Sequence, residues 1–195
     1  MTLPWTRLFR LFGDDWVCMN KLPEGSARTF ARWRVTGGFV AAVVMLALAR
    51  PTWETWAAGF AIAALGEGLR LWASGHLEKG REVTRSGPYR FVRHPLYAGS
   101  MIMALGVAVA CRGAVPALVA GLYMGVTILA AVQVEEEELR LAFGSTYDDY
   151  AASRAEPMRR DFSVQRAMRN REYRAVAGLL AGFALLALKI LAPYN

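Results

Sequence analysis

Residues 87–100 gather the side chains best suited to chemistry: Gly87-Pro88-Tyr89-Arg90-Phe91-Val92-Arg93-His94-Pro95-Leu96-Tyr97-Ala98-Gly99-Ser100. Pro88 and Pro95 fix their own φ angles and push Gly87 and His94 out of helical geometry. Pro95 also suits the first position of a new helix, where a missing N–H costs nothing. Tyr89, Arg93, His94 and Tyr97 are therefore expected at the mouth of that helix, whose free N–H groups favour a negatively charged ligand. A membrane-interface loop would carry the same aromatic and basic residues. A second group lies upstream, where Gly66-Glu67-Gly68-Leu69-Arg70-Leu71-Trp72 puts an acid and a base on one helix face inside an apolar run. Charges within a membrane are expensive and usually face a cavity or a partner. The plainer alternative is that Arg70 reaches the headgroups and pairs with Glu67 across one turn. Gly66 and Gly68 would let a ligand or another backbone approach closely. His76, just past this helix, is a candidate proton acceptor or simply a solvated interfacial histidine. The third group is Glu135-Glu136-Glu137-Glu138, four carboxylates at the end of another apolar run. Two of them are expected to face solvent, while the others need a partner.

The elements that must carry these groups follow from the apolar runs at 35–49, 53–74, 95–111, 114–134 and 175–192. Most reach or approach the roughly 17–25 residues that cross about 30 Å of hydrocarbon. Run one is short and needs helical turns upstream to complete it. Five such helices in a chain of 195 residues, 55% hydrophobic, with mean hydropathy +0.24, leave too little polar surface for a soluble protein. The expected fold is all-α: a polytopic membrane protein of about five transmembrane helices with cytoplasmic interfacial helices. Basic residues concentrate in 1–34, 76–94 and 135–174, while the alternate gaps hold little more than Arg50 and Arg112. The positive-inside rule then puts the N-terminus and both long loops in the cytoplasm and the C-terminus outside. Residues 1–34 suit a short helix on the interface or a loose tail, and residues 161–173 a second, amphipathic interfacial helix. Gly144 reads as a helix C-cap, with Ser145 or Thr146 opening a short helix that carries Tyr147 and Tyr150. No repeat or second domain is visible, so residues 1–195 are expected to form one membrane-embedded domain.

Composition also excludes classes. The net charge of +7 sits beside membrane spans, where anionic headgroups and orientation account for it better than nucleic acid does. Cys18 and Cys111 fall on opposite sides of the expected membrane and cannot pair. Two histidines, His76 and His94, without a ligand cluster give no metal site. The apolar patch Leu8–Phe12 is too short for a cleavable signal and precedes Asp14 and Asp15, so insertion is expected to rely on the spans. Arg dominance over Lys with abundant Ala and Gly points to a GC-rich bacterial genome, hence a bacterial inner membrane.

Taken together, Gly87-Pro88-Tyr89-Arg90, Arg93-His94-Pro95-Leu96-Tyr97-Ala98-Gly99-Ser100, and then Glu135-Glu136, Leu139, Phe143-Gly144, Tyr147 and Tyr150 resemble the isoprenylcysteine carboxyl methyltransferase and phospholipid methyltransferase superfamily. The resemblance covers about residues 60–155. It implies a cytoplasmic-face site for S-adenosylmethionine, with Tyr89, Arg93, His94, Tyr97 and Gly99 on one side and Glu135 and Glu136 on the other. Arg93, His94 and helix N–H groups suit the cofactor carboxylate, and Glu135 or Glu136 its ribose hydroxyls or ammonium. Gly66 and Gly68 mirror a Gly-x-Gly of phospholipid methyltransferases. The four-Glu run leaves the choice of acidic pair to spacing, and the long charged segment before run five departs from many relatives. The implied reaction is methyl transfer to a lipophilic acceptor arriving from the bilayer, either an aminophospholipid such as phosphatidylethanolamine or an isoprenylcysteine-like carboxylate. Glu67, Arg70 and His76 are the candidate catalytic residues, and Trp72, Tyr147 and Tyr150 the candidate substrate wall. The partners implied are a lipid substrate and the bilayer, with no nucleic acid and no obligate protein. The alternatives are an NADPH-dependent reductase of the sterol reductase type and a non-enzymatic membrane scaffold or transporter.

Overall fold

The computed structural model describes the backbone of residues 24–192 and the side chains of residues 36–192. Cys18 and most of the N-terminal interfacial segment lie outside the described residues. Seven α-helices and one 3-10 turn make up the described chain, with no strand among the described residues. In chain order they are α1 (Glu24–Leu48), α2 (Trp53–Ser74), the 3-10 turn Gly87–Arg90, α3 (Pro95–Cys111), α4 (Ala114–Phe143), α5 (Ser145–Ala151), α6 (Val164–Arg169) and α7 (Tyr173–Leu191). The contacts divide the chain into residues 1–39 and 40–195. The first unit contributes the opening turns of α1, and everything below concerns the second.

The all-α expectation holds. Two helices, α4 and α7, are long and apolar enough to cross a membrane, fewer than the five expected. Thr36–Leu48 and α3 are apolar but shorter. α2 is long enough at 22 residues, but Glu67 and Arg70 lower its hydropathy. α4 exposes Val115, Leu118, Leu122, Val126 and Leu129, an apolar stripe at helical spacing that none of the described residues covers. α7 buries Leu179, Phe183 and Leu186 and leaves Leu180, Leu185, Leu188 and Leu191 exposed. Water-facing surfaces do not carry apolar patches of this extent; lipid-facing ones do.

α2 and α3 form the central pair, and glycine sets how closely they approach. A Cβ on Gly66 would fall 2.6 Å from the Gly99 carbonyl and 2.7 Å from the Met103 nitrogen. One on Gly106 would fall 2.5 Å from both the Ala63 nitrogen and the Gly59 carbonyl. Small residues let membrane helices meet backbone to backbone, and here four glycines in two registers do so. At the far end from the motif, Thr52 and Thr55 form a reciprocal cap on α2. There Trp56 donates from Nε1 to the Phe183 carbonyl at 2.8 Å and stacks on Phe60. This ties α7 to α2 beside a core of Met45, Ala63, Ala110, Cys111, Ala120 and Leu179.

The opposite end of α2 is finished by the charged segment that precedes α7. Asn170 donates to the carbonyls of Ser74 (2.8 Å) and Leu77 (3.0 Å), Arg166 to that of Gly75 (2.8 Å), and Arg160 to that of His76 (3.3 Å). Arg160 and Arg169 also pair with Glu82 and Glu78. Carbonyls orphaned at a helix C-terminus are thus met by side chains, and the cations oppose the negative end of the dipole. The interfacial helix expected over 161–173 is correspondingly short. It spans only Val164–Arg169, because Asn170 turns its amide to α2 and Arg171 adopts a left-handed φ of 60°.

Candidate active site

His94 is the N-cap of α3, with Pro95 at the first helical position, as the proline spacing requires. Its carbonyl accepts the amides of Tyr97 and Ala98. Its ring instead faces the end of α4: Nε2 lies 3.1 Å from Glu136 Oε1, and Nδ1 lies 3.8 Å from Glu135 Oε2. Glu136 also meets Arg93 Nη1 at 3.1 Å and Arg140 Nη2 at 3.3 Å. α4 stays helical through the whole acidic run to Phe143. Glu135 and Glu136 turn toward the motif, while Glu137 and Glu138 are exposed. Gly144 ends α4 at φ 50°, with its amide bonded to the Arg140 carbonyl, and lets α5 fold back. α5 brings Tyr147, fully buried under the Arg140 guanidinium, and Tyr150, whose hydroxyl donates to the Tyr89 carbonyl at 2.8 Å.

Burial raises the hydroxyl pKa of Tyr89, Tyr147 and Tyr150, that of Tyr150 to about 12. All three remain neutral donors. The Tyr89 hydroxyl also feels Glu135, Glu172 and Tyr97, so it stands within electrostatic reach of two carboxylate clusters.

The second cluster surrounds Arg70. Its Nε and Nη2 both lie 2.7 Å from Glu172 Oε1, and Nη1 meets the Ser100 hydroxyl and, at 3.4 Å, the Leu96 carbonyl. Glu67 lies 3.6 Å from Arg70 Nε, is 4% exposed, and accepts no hydrogen bond at either carboxylate oxygen. A Cβ on Gly99 would fall 2.6 Å from Arg70 Cγ, so Gly99 gives the arginine stem room to pass. Glu172 escaped the sequence reading. Its only signal was an acid standing between Arg171 and Arg174 at the mouth of an apolar run.

The remaining candidates fall as follows. Gly66 lies in the α2–α3 seam, whereas Gly68 has nothing within 4 Å of a would-be Cβ. Trp72 is half-exposed, with its ring 6.5 Å from that of His76. His76 is 5% exposed, enclosed by Trp72, Phe162 and Gly87, with Nδ1 3.2 Å from Ser86 Oγ. Gly87, at φ 56°, has no room for a side chain against that ring.

Burial, followed by Arg166 and Arg160, holds the His76 pKa below its ordinary value. Such a group adds stability above the unfolded pKa of about 6.5, and that contribution is lost as pH falls through the lower folded value. The unfolding temperature is therefore expected to fall more steeply between about pH 7 and pH 5 in the wild type than in His76→Gln. Parallel curves would refute the buried-neutral assignment.

A cluster of two guanidiniums, one imidazole, two carboxylates and buried phenols, set beside a buried acid–base group between apolar helices, is a donor set for a zwitterionic ligand. Residues 38–146, more than half of the chain, match the family model described as phospholipid methyltransferase. The chain belongs to this phospholipid methyltransferase family. No curated protein and no solved structure gives a match. The matched segment holds both halves of the Arg93–His94–Glu136 cluster, along with Glu67 and Arg70. It ends within α5, short of Tyr147, Tyr150 and Glu172. The family makes this a membrane methyltransferase, as the motifs implied.

Proposed function

We propose that the protein transfers a methyl group from S-adenosylmethionine to a lipophilic amine, with an aminophospholipid as the acceptor class. The observation that carries the reading is the Arg93–His94–Glu135–Glu136 cluster inside the family-matched segment. Its chemistry fits the cofactor: Arg93 and His94 suit a carboxylate, and Glu135, 43% exposed at its side chain, suits an ammonium or a ribose diol. Tyr97 lies beside the His94 ring and Tyr89 within electrostatic reach of Glu135, Tyr147 and Tyr150 flank the cluster from α5, and Gly99 lies against Arg70 instead. S-adenosylmethionine, when bound, supplies an already activated methyl, so the protein's main task is alignment. Glu67 favours an amine over a carboxylate acceptor, because a buried carboxylate without a hydrogen bond calls for a donor. It takes one proton from the acceptor ammonium. The nitrogen's freed electron pair then bonds the methyl carbon as the carbon–sulfur bond breaks, with its electrons left on sulfur. In this reading Arg70 is the cation held beside Glu67 by Glu172 and Ser100, Trp72 lines the lipid approach, and His76 holds the Gly87–Tyr89 turn from behind.

In the same reading α1, α2 and α3 join α4 and α7 as five spans of a bacterial inner membrane, with the site cytoplasmic and the C-terminus outside. The test is calorimetric titration of the protein in lipid nanodiscs with S-adenosylmethionine, S-adenosylhomocysteine and NADPH. Saturable binding of the first two, followed by radiolabel transfer to phosphatidylethanolamine, is expected. Binding of NADPH alone would move the chain to the reductases, and binding of none would leave a scaffold.

A further inference from the structure

Glu172 lies outside the family-matched segment, yet it is the best-placed partner of Arg70. It sits at the N-cap of α7, 5% exposed, and its backbone N–H is bonded to the Ala167 carbonyl of α6 at 3.2 Å. α6 is in turn clamped to the end of α2 through Arg166 and Asn170. The carboxylate is therefore aimed by an elbow with little freedom. Arg70 gives it two donors at 2.7 Å and turns a third to Ser100, which leaves Glu67 at 3.6 Å without a hydrogen bond. One guanidinium thus faces two buried carboxylates and is committed to one of them.

We infer that Glu172 is a positioning residue for the methyl transfer: by holding Arg70 it keeps Glu67 at the longer 3.6 Å contact, free of hydrogen bonds and available to take the acceptor's proton. This rests on the reading of Glu67 given above. The arrangement is asymmetric for a physical reason. An arginine shared equally would stabilise the ionised form of both acids, and a Glu67 neutralised by a direct ion pair is a weak base. Glu172 both withdraws that cation and adds a like charge nearby. The charged and titratable groups that bear on Glu67 are Arg70 on its own helix and Glu172 before α7. Both bear on it directly, and α3 contributes the neutral Ser100, which meets Arg70.

The experiment is an infrared pH titration of the full chain in nanodiscs, following the carboxylic-acid C=O band that disappears in Glu67→Gln. In Glu172→Gln the like charge is gone and Arg70 is free to turn to Glu67. The midpoint of that band is expected to move to lower pH by about one unit or more, and the acid limb of the methyl-transfer rate to move with it. Glu172→Asp keeps the charge on a shorter stem and is expected to fall between the two. A folded Glu172→Gln whose midpoint stays at the wild-type value overturns the inference, as does the lack of any Glu67-dependent band in the wild type. If Glu172→Gln does not fold, Glu172→Asp decides: a lowered midpoint supports the assignment and an unmoved one overturns it. The band reports without turnover, so a shifted midpoint in a protein that transfers no methyl group would sink the methyltransfer reading and leave the Arg70 assignment standing.

Discussion

Glu136→Gln is expected to weaken S-adenosylmethionine binding by about 30-fold, the largest effect of any single change in the Arg93–His94–Glu136 cluster. Glu136 is where two guanidiniums and an imidazole converge: Arg93 at 3.1 Å, Arg140 at 3.3 Å and His94 at 3.1 Å, around a side chain only 16% exposed. Removing its charge leaves those side chains without the group that orders them. Truncating one member of a buried, hydrogen-bonded charge pair costs about 2–5 kcal/mol. Arg93 is itself 41% exposed, so part of that cost is screened by solvent and the lower end applies. Glu135→Gln should cost less, because its carboxylate has one neighbour at 3.8 Å and sits at the surface. Calorimetry on the two variants, alongside their thermal unfolding, separates binding from fold. Equal wild-type affinity in a folded Glu136→Gln would remove the cluster from the cofactor site.

Gly106→Ala is expected to destabilise the α2–α3 pair by about 1–3 kcal/mol, and Gly66→Ala by a comparable amount. In each case the added methyl meets backbone atoms of the other helix, which no side-chain rotation relieves. Gly59 and Gly106 face each other, so alanine at both should cost less than the sum of the single changes. Gly68→Ala is the matched control, since its methyl enters open space on the same helix. Cys111, buried at the end of α3, reports the opening directly in a Cys18→Ser background. Thiol labelling should accelerate in Gly66→Ala and Gly106→Ala and stay at the reference rate in Gly68→Ala. Equal labelling in all three would mean that the seam does not hold the pair.

These glycines show where sequence reasoning succeeded and where it stopped. The proline pair fixed the start of α3 and the position of His94, because ring closure restricts backbone torsion whatever the tertiary context. Helix periodicity alone did not sort the acidic run, since Glu138 shares a face with Glu135 yet is exposed; the His94 and Arg93 side chains opposite decide that Glu135 and Glu136 turn inward. Gly66 was different. A glycine that admits a ligand and one that admits another helix look alike in a linear string, and only the Gly99 carbonyl opposite decides between them. The two-residue spacing of Gly66 and Gly68 hid two unlike environments. His76 read as interfacial because nothing in its neighbourhood announces Phe162, which arrives from far along the chain. Glu172 and Asn170 were illegible for the same reason: their partners, Arg70 and the α2 carbonyls, are about a hundred positions away. The short charged helix stopped early because Asn170 was needed elsewhere.

The clamp on the end of α2 carries a consequence for how the protein is made. α2 and α3 leave the ribosome and can pair long before residues 160–172 exist as chain, since synthesis proceeds at about 5–20 residues per second. Through that interval Arg70 lacks Glu172, and the last carbonyls of α2 lack Asn170, Arg166 and Arg160. The Arg70–Glu172 pair and the cap on the end of α2 therefore form only after residues 160–172 have been translated. A polypeptide that stalls before residue 160 would hold the glycine seam of α2 and α3 already closed, with Arg70 and the last carbonyls of α2 still waiting for their partners.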